Sequence, residues 1–89
     1  MKVLMVNIGY GNVLPVDKIV AILNINSAPI RKLVQDVKEK DMLINASQGR
    51  KTRSVIVMDS GHIVLSSVQT ETIVGRMNLK EGVIYKRED

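Results

Sequence analysis

Cysteine is absent from this sequence, and so are phenylalanine and tryptophan. Without cysteine there is no disulfide framework, no thiol chemistry and no thiolate metal site, a composition in keeping with the cytosol. Without the two large aromatics, the core must be built from Ile, Val, Leu and Met, although hydrophobic residues make up 45% of the 89 residues. So many β-branched side chains favour strands. Long apolar runs are also missing: nothing approaches the roughly 20 residues that span a bilayer. The opening MKVLMVNIGYGN is interrupted by Asn7 and Gly9, too early for a secretory signal, and residues 2–8 read as a strand. A soluble, cytoplasmic protein with no membrane partner is expected. The length suits one domain, which at this size buries roughly 60–65% of the surface its unfolded chain exposes.

What is present is a modest basic excess, Lys+Arg 13 against Asp+Glu 9, for a formal charge of +4. Its distribution is more informative than its size. Segment 47–54, SQGRKTRS, holds Arg50, Lys51 and Arg53 with no acid. The element pattern is mixed. Gly9 and Gly11 permit positive φ and mark a turn or bulge. In residues 18–25, Ile19, Val20, Ile22 and Leu23 could form a helix face, but β-branching and the short length favour a strand. Ser27 is a plausible N-cap, and Pro29 suits a first helical turn, where its missing N–H costs nothing; both are structural residues. Ile30, Leu33, Val34 and Val37 then form one apolar helical stripe ending near Lys40, with Asp36 and Lys40 at ion-pair spacing. Residues 45–52 read as a loop. Two apolar runs, 55–58 and 63–65, flank Asp59-Ser60-Gly61 as a hairpin. Thr70 can cap a second helix over about 71–79, with Ile73, Val74 and Met77 inward. Val55-Ile56-Val57-Met58 does not alternate, so both faces of that strand need cover. Either the second helix or another subunit can supply it.

Catalysis finds little support. His62 is the one histidine, and beside Asp59 it could form half of a triad, but no nucleophile elbow, paired carboxylates or further metal ligands accompany it. No catalytic residue, metal or cofactor is assigned. Gly9 and Gly11 lack the third glycine, the helix and the acidic residue of a dinucleotide fingerprint. Only the GRKTR stretch carries recognisable chemistry. Arginine meets phosphate oxygens through a planar fork and lysine does so as a point charge.

The chain resembles the RemA family of bacterial extracellular-matrix regulatory proteins over almost its full length. The resemblance rests on NIGYGN at 7–12, SAPI at 27–30 followed by Arg31-Lys32, MLI at 42–44, GRKTR at 49–53, VMDSGH at 57–62 and the ET pair at 71–72, in order and spacing. It implies a DNA-binding transcription regulator without catalytic activity, assembled as a homo-oligomeric ring that holds duplex DNA on a basic outer surface. Biofilm-matrix regulation is a role of some members. The implied fold is α+β, a small mostly antiparallel sheet with two helices and a LytTR-like core. The family's DNA-contacting positions fall on Lys18, Arg50 and Lys51. Lysine stands at 18 and 51 where the family pattern has arginine, which keeps charge but loses bidentate geometry.

The resulting expectation is a RemA-like DNA-binding domain over 1–79 with a charged tail at 80–89, acting on the nucleoid. Lys18, Arg50, Lys51 and Arg53 are expected to carry phosphate contacts, joined by Arg31 and Lys32 if folding brings them alongside. Gly9, Gly11, Ser27 and Pro29 are expected to shape the scaffold. RNA binding and a purely structural ring are the alternatives, the former disfavoured by a stock of only two tyrosines for base stacking.

Overall fold

A computed structural model describes residues 4–79, so the charged tail at 80–89 lies outside the described residues. In chain order the elements are β1 (Met5–Gly9), β2 (Asn12–Pro15), β3 (Ile19–Asn24), α1 (Ala28–Glu39), β4 (Leu43–Asn45), β5 (Ser54–Met58), β6 (Ile63–Ser66) and α2 (Thr70–Leu79), with a 3₁₀ turn over Val16–Lys18. The class is α+β with two helices, as the sequence implies. The sheet is mixed. β3, β5 and β6 are antiparallel neighbours, but β4 joins β6 in parallel, giving the order β3-β5-β6-β4. β1 and β2 form a separate antiparallel hairpin.

Three layers result. Val55, Ile63 and Leu65 face α1, where Val37 is buried and Ile30, Leu33 and Val34 are partly buried, the stripe read from the sequence. Ile56, Met58 and Val64 point the other way, onto Val6 and Ile8 of β1 and Ile73 of α2. That arrangement answers the question posed by the non-alternating strand. Both faces of β5 are covered from within the chain, one by α1 and the other by the β1–β2 hairpin together with α2, so this strand gives no reason to invoke a second subunit.

Local chemistry accounts for the helix boundaries. Ser27, extended at φ −108°, caps α1 by accepting the Ile30 amide at 3.3 Å. Pro29 follows in the first turn. Lys40 is the C-cap at φ −94°, off the helical path, and no Asp36–Lys40 pair forms; Lys18–Asp59 is the one ion pair among the described residues. Two details of the sequence reading need correction. Thr70 is the first residue of α2, and its hydroxyl donates to Glu71 Oε1 at 2.9 Å; the Gln69 carbonyl receives the amides of Thr72 and Ile73 instead. Val74 is 41% exposed, so the inner face of α2 is Ile73 with Met77.

Two buried serines tie the layers together. Ser54 and Ser66 pair across β5 and β6 and are fully buried. Ser66 Oγ donates to the Ile8 carbonyl of β1 at 2.8 Å and accepts the Val68 amide at 3.0 Å. Ser54 Oγ donates to the Val68 carbonyl. Replacing Ser66 with Ala removes the hydroxyl's bonds to the Ile8 carbonyl and the Val68 amide in a buried setting and weakens the dock between hairpin and sheet. Ser66→Ala should cost about 1–3 kcal/mol of unfolding free energy, read by urea denaturation. An unchanged midpoint would mean that the hairpin docks by apolar packing alone.

Candidate functional site

The basic loop is built on two clamped ends. At its start, Asn45 Oδ1 accepts the Ser47 amide at 3.0 Å and the Ser47 hydroxyl at 2.6 Å, and Ser47 is buried. Gln48 and Gly49 follow with φ of 57° and 75°, and the Arg50 amide returns to the Ser47 carbonyl at 3.0 Å. Two consecutive positive φ values closed by that bond make a tight type I′ turn. At its end, the Arg53 amide donates to the Ser66 carbonyl at 2.9 Å, and the Arg53 carbonyl accepts the Ile25 amide at 3.4 Å. The backbone is held while the side chains of Arg50, Lys51 and Arg53 are exposed. None of the three forms an ion pair among the described residues.

These cations border two concavities. One, of about 350 Å³, is lined by Arg50, Lys51, Arg53, Tyr10 and Ser67. The other, about 190 Å³, places Lys51 and Arg53 opposite Asn26 and the start of α2, where Glu71 contributes an acid. Tyr10 reaches the first concavity because the β1–β2 turn ends beside the loop. Gly9, Tyr10 and Gly11 have φ of 105°, 56° and 78°. Asn7 Oδ1 accepts the Gly9 amide at 2.7 Å, and Arg76 Nη1 of α2 donates to the Asn7 carbonyl at 2.9 Å.

The remaining basic residues scatter. Arg31 is exposed on the first turn of α1 and donates Nη1 to the Ile25 carbonyl at 3.4 Å, which brings it to the Arg53 side of the molecule. Lys32 is exposed on the same helix, and it lines neither concavity. Lys18 lies at the opposite end of β5. Its carbonyl accepts the Asp59 amide at 2.9 Å and its Nζ stands 3.7 Å from Asp59 Oδ2. Six residue steps, from Asp59 back to Arg53, separate it from the loop, about 20 Å at the usual rise per residue. Within one protomer the fold therefore groups Arg50, Lys51, Arg53 and Arg31 and sets Lys18 apart.

His62 does not pair with Asp59. Its Nδ1 lies 2.7 Å from Ser60 Oγ within the β5–β6 turn. Among the described residues no group of three or more His, Asp or Glu could hold a metal ion. Gly9 and Gly11 lead into a strand, so no phosphate-cradling helix follows them. No described helix is long and apolar enough to cross a membrane.

Sequence reasoning missed Tyr10, Ser67 and Arg76. A signal for the first was available: Gly-Tyr-Gly between two apolar runs is a hairpin tip, and the tip carries its aromatic outward. The tip also sets a stability test. A Cβ on Gly9 would meet Val68 Cγ2 at 3.1 Å, whereas one on Gly11 meets nothing within 4 Å. Both alanine variants suffer the positive φ, so each should lose more than about 1 kcal/mol. Gly9→Ala should lose more than Gly11→Ala, compared by thermal unfolding. Equal losses would show that contact with Val68 is immaterial.

The family model for RemA-like proteins, described as extracellular matrix regulatory protein A-like, matches residues 5–77. Extracellular matrix regulatory protein A of Bacillus subtilis (strain 168) is 44% identical over 84 residues, 94% of either chain. A candidate regulatory protein of Alkaliphilus metalliredigens is 49% identical over 82 residues, 92% of this chain and 88% of the relative. One from Clostridium perfringens (strain 13 / Type A) is 42% identical over 89 residues, the whole of both chains.

Proposed function

This chain belongs to the RemA-like family of bacterial regulatory proteins, and from that premise we propose that it is a homo-oligomeric transcription regulator that binds duplex DNA through the loop at 49–53. The observation that carries the proposal is the rigid loop itself. Three exposed cations, free of ion pairs among the described residues, project from a backbone clamped at both ends. Such a group offers phosphate oxygens ready-made partners with little ordering cost. Arg31 extends the same surface. Lys32 and Lys18 are assigned to more distant phosphates. This is a binding protein of the cytoplasm and nucleoid, not an enzyme, with no cofactor. The name of the Bacillus subtilis relative makes extracellular-matrix genes the first class of targets to examine.

Assembly supplies the affinity. Each neutralised phosphate contributes about −0.9 to the slope of log K against log salt, and a few such contacts give only weak, non-specific binding. Repeating the loop around a ring makes later contacts intramolecular and can add roughly 10²–10⁴ in affinity. Support for self-association lies at the sheet edges. β3 and β4 are opposite edge strands, and they carry Val20, 65% exposed, and Ile44, 51% exposed. Joining unlike edges head to tail generates rings when the rotation closes.

Arg50→Ala should weaken binding to any duplex about equally and lower the salt slope by about 0.9 per protomer engaged. Fold and assembly, followed by thermal melting and light scattering, should be unchanged. Wild-type affinity in that variant at moderate salt would remove the loop from the interface.

A further inference from the structure

We infer that the Gly9–Tyr10–Gly11 turn and the basic loop form two walls of a subsite for one sugar–phosphate unit of a DNA strand. The Tyr10 hydroxyl donates to a phosphate oxygen and its ring lies against the deoxyribose. The inference rests on the reading of the loop as a DNA contact and adds a residue and a geometry to it.

Three observations lead to Tyr10. It is 55% exposed, although it is one of only two aromatic residues in a chain that needs apolar mass for its core. It holds φ 56° between glycines at 105° and 78°. A bulky non-glycine residue in the left-handed region is disfavoured and persists only where the surroundings enforce it, most often at functional sites. Enforcement is visible here: the turn is fixed from behind by Asn7 on Gly9, by Arg76 on Asn7, and by Val68 against Gly9. Finally, its side chain lines the same concavity as Arg50, Lys51, Arg53 and Ser67.

The chemistry of that concavity selects the ligand. Its volume, about 350 Å³, is at the lower end of small-ligand sites, roughly 300–1,000 Å³. Three cations and two hydroxyls supply donors for phosphate oxygens, and one ring supplies an apolar face for a sugar. A lone aromatic cannot stack successive bases, which single-strand binders achieve with several. The second concavity is a weaker anion site, because Glu71 sits there beside Lys51 and Arg53.

The test measures binding of a fluorescent 30-base-pair duplex by anisotropy, across about 50–200 mM salt, for the full chain and the variants Tyr10→Phe, Tyr10→Gly and Arg50→Ala. Tyr10→Phe removes one hydrogen bond and should weaken binding about three- to tenfold. Tyr10→Gly should weaken it further. Neither removes a charge, so both should keep the wild-type salt slope, unlike Arg50→Ala. Tyr10→Gly also relieves the left-handed backbone and should melt no lower than wild type, so binding falls while the fold holds. Wild-type affinity in both Tyr10 variants, with Arg50→Ala weakened, would overturn the subsite and leave the loop assignment standing. Tyr10 variants that lose salt slope as Arg50→Ala does would overturn it too, since Tyr10 would then act by placing cations. If Arg50→Ala binds as wild type does, the loop assignment itself fails.

Discussion

The docking of the β1–β2 hairpin onto the four-stranded sheet is the contact on which the rest of this structure depends. The hairpin closes the sheet face that α1 leaves open, and it places the Gly9–Gly11 turn beside the basic loop. Apolar packing supplies most of the association, since Val6 and Ile8 are fully buried against Ile56, Val64 and Ile73. Packing alone does not fix register, because apolar contact is non-directional. The register comes from two side-chain donors that find consecutive carbonyls of β1: Arg76 reaches that of Asn7, and Ser66 that of Ile8. A one-residue slip would break both of these bonds, at a cost of about 0.5–1.5 kcal/mol each.

The same serine couples the dock to the loop. Ser66 offers its hydroxyl to β1 while its carbonyl holds the Arg53 amide. One residue thus references the hairpin tip and the end of the cationic loop to the same point on β6. That is how two segments far apart in sequence, 9–11 and 50–53, face a common concavity with little freedom between them. Rigid placement of this kind matters more for a weak-contact surface than extra charge does, because ordering flexible side chains and loops is a cost of binding.

Much of this scaffold was legible in the sequence for reasons that are local. The Ser27 cap, the Pro29 entry and the i, i+3, i+4, i+7 stripe specify α1 within a dozen residues, and Asp59-Ser60-Gly61 specifies the β5–β6 hairpin. What escaped reading is long-range. Asn12–Pro15 form β2 only because β1 lies beside them, and the three residues of β4 form a strand only because β6 offers a parallel edge. The buried serines looked like ordinary strand and loop residues, since their value lies in carbonyls 58 and 14 positions away. The basic loop was legible as chemistry from its acid-free run, and its partners were not. Sequence supplied Lys18, which the fold sets at the other end of β5, and passed over Tyr10, which the fold brings in.

That separation of cations shapes how a polyanion would meet this surface. Lys18 shares its end of the sheet with Asp59, and both side chains are about half exposed, 56% and 53%. An ion pair so open to water contributes little to stability, about 0–1 kcal/mol, yet at a distance its charges cancel. At the loop end no ion pair ties up Arg50, Lys51 or Arg53 among the described residues, although Glu71 stands beside Lys51 and Arg53. The concavity lined by Arg50, Lys51, Arg53, Tyr10 and Ser67 holds no carboxylate, so the loop's positive charge is least offset there. If the loop binds duplex DNA as proposed, Lys18 would become useful only at close range, where a phosphate oxygen can replace the Asp59 carboxylate as its partner. The exchange costs little because the pair it breaks is weak. It also leaves Asp59 beside the phosphate, so contact there adds less than a fourth loop cation would. On the proposed reading the loop would set affinity and Lys18 the angle, by penalising any approach that lifts the far end of β5 away from a duplex.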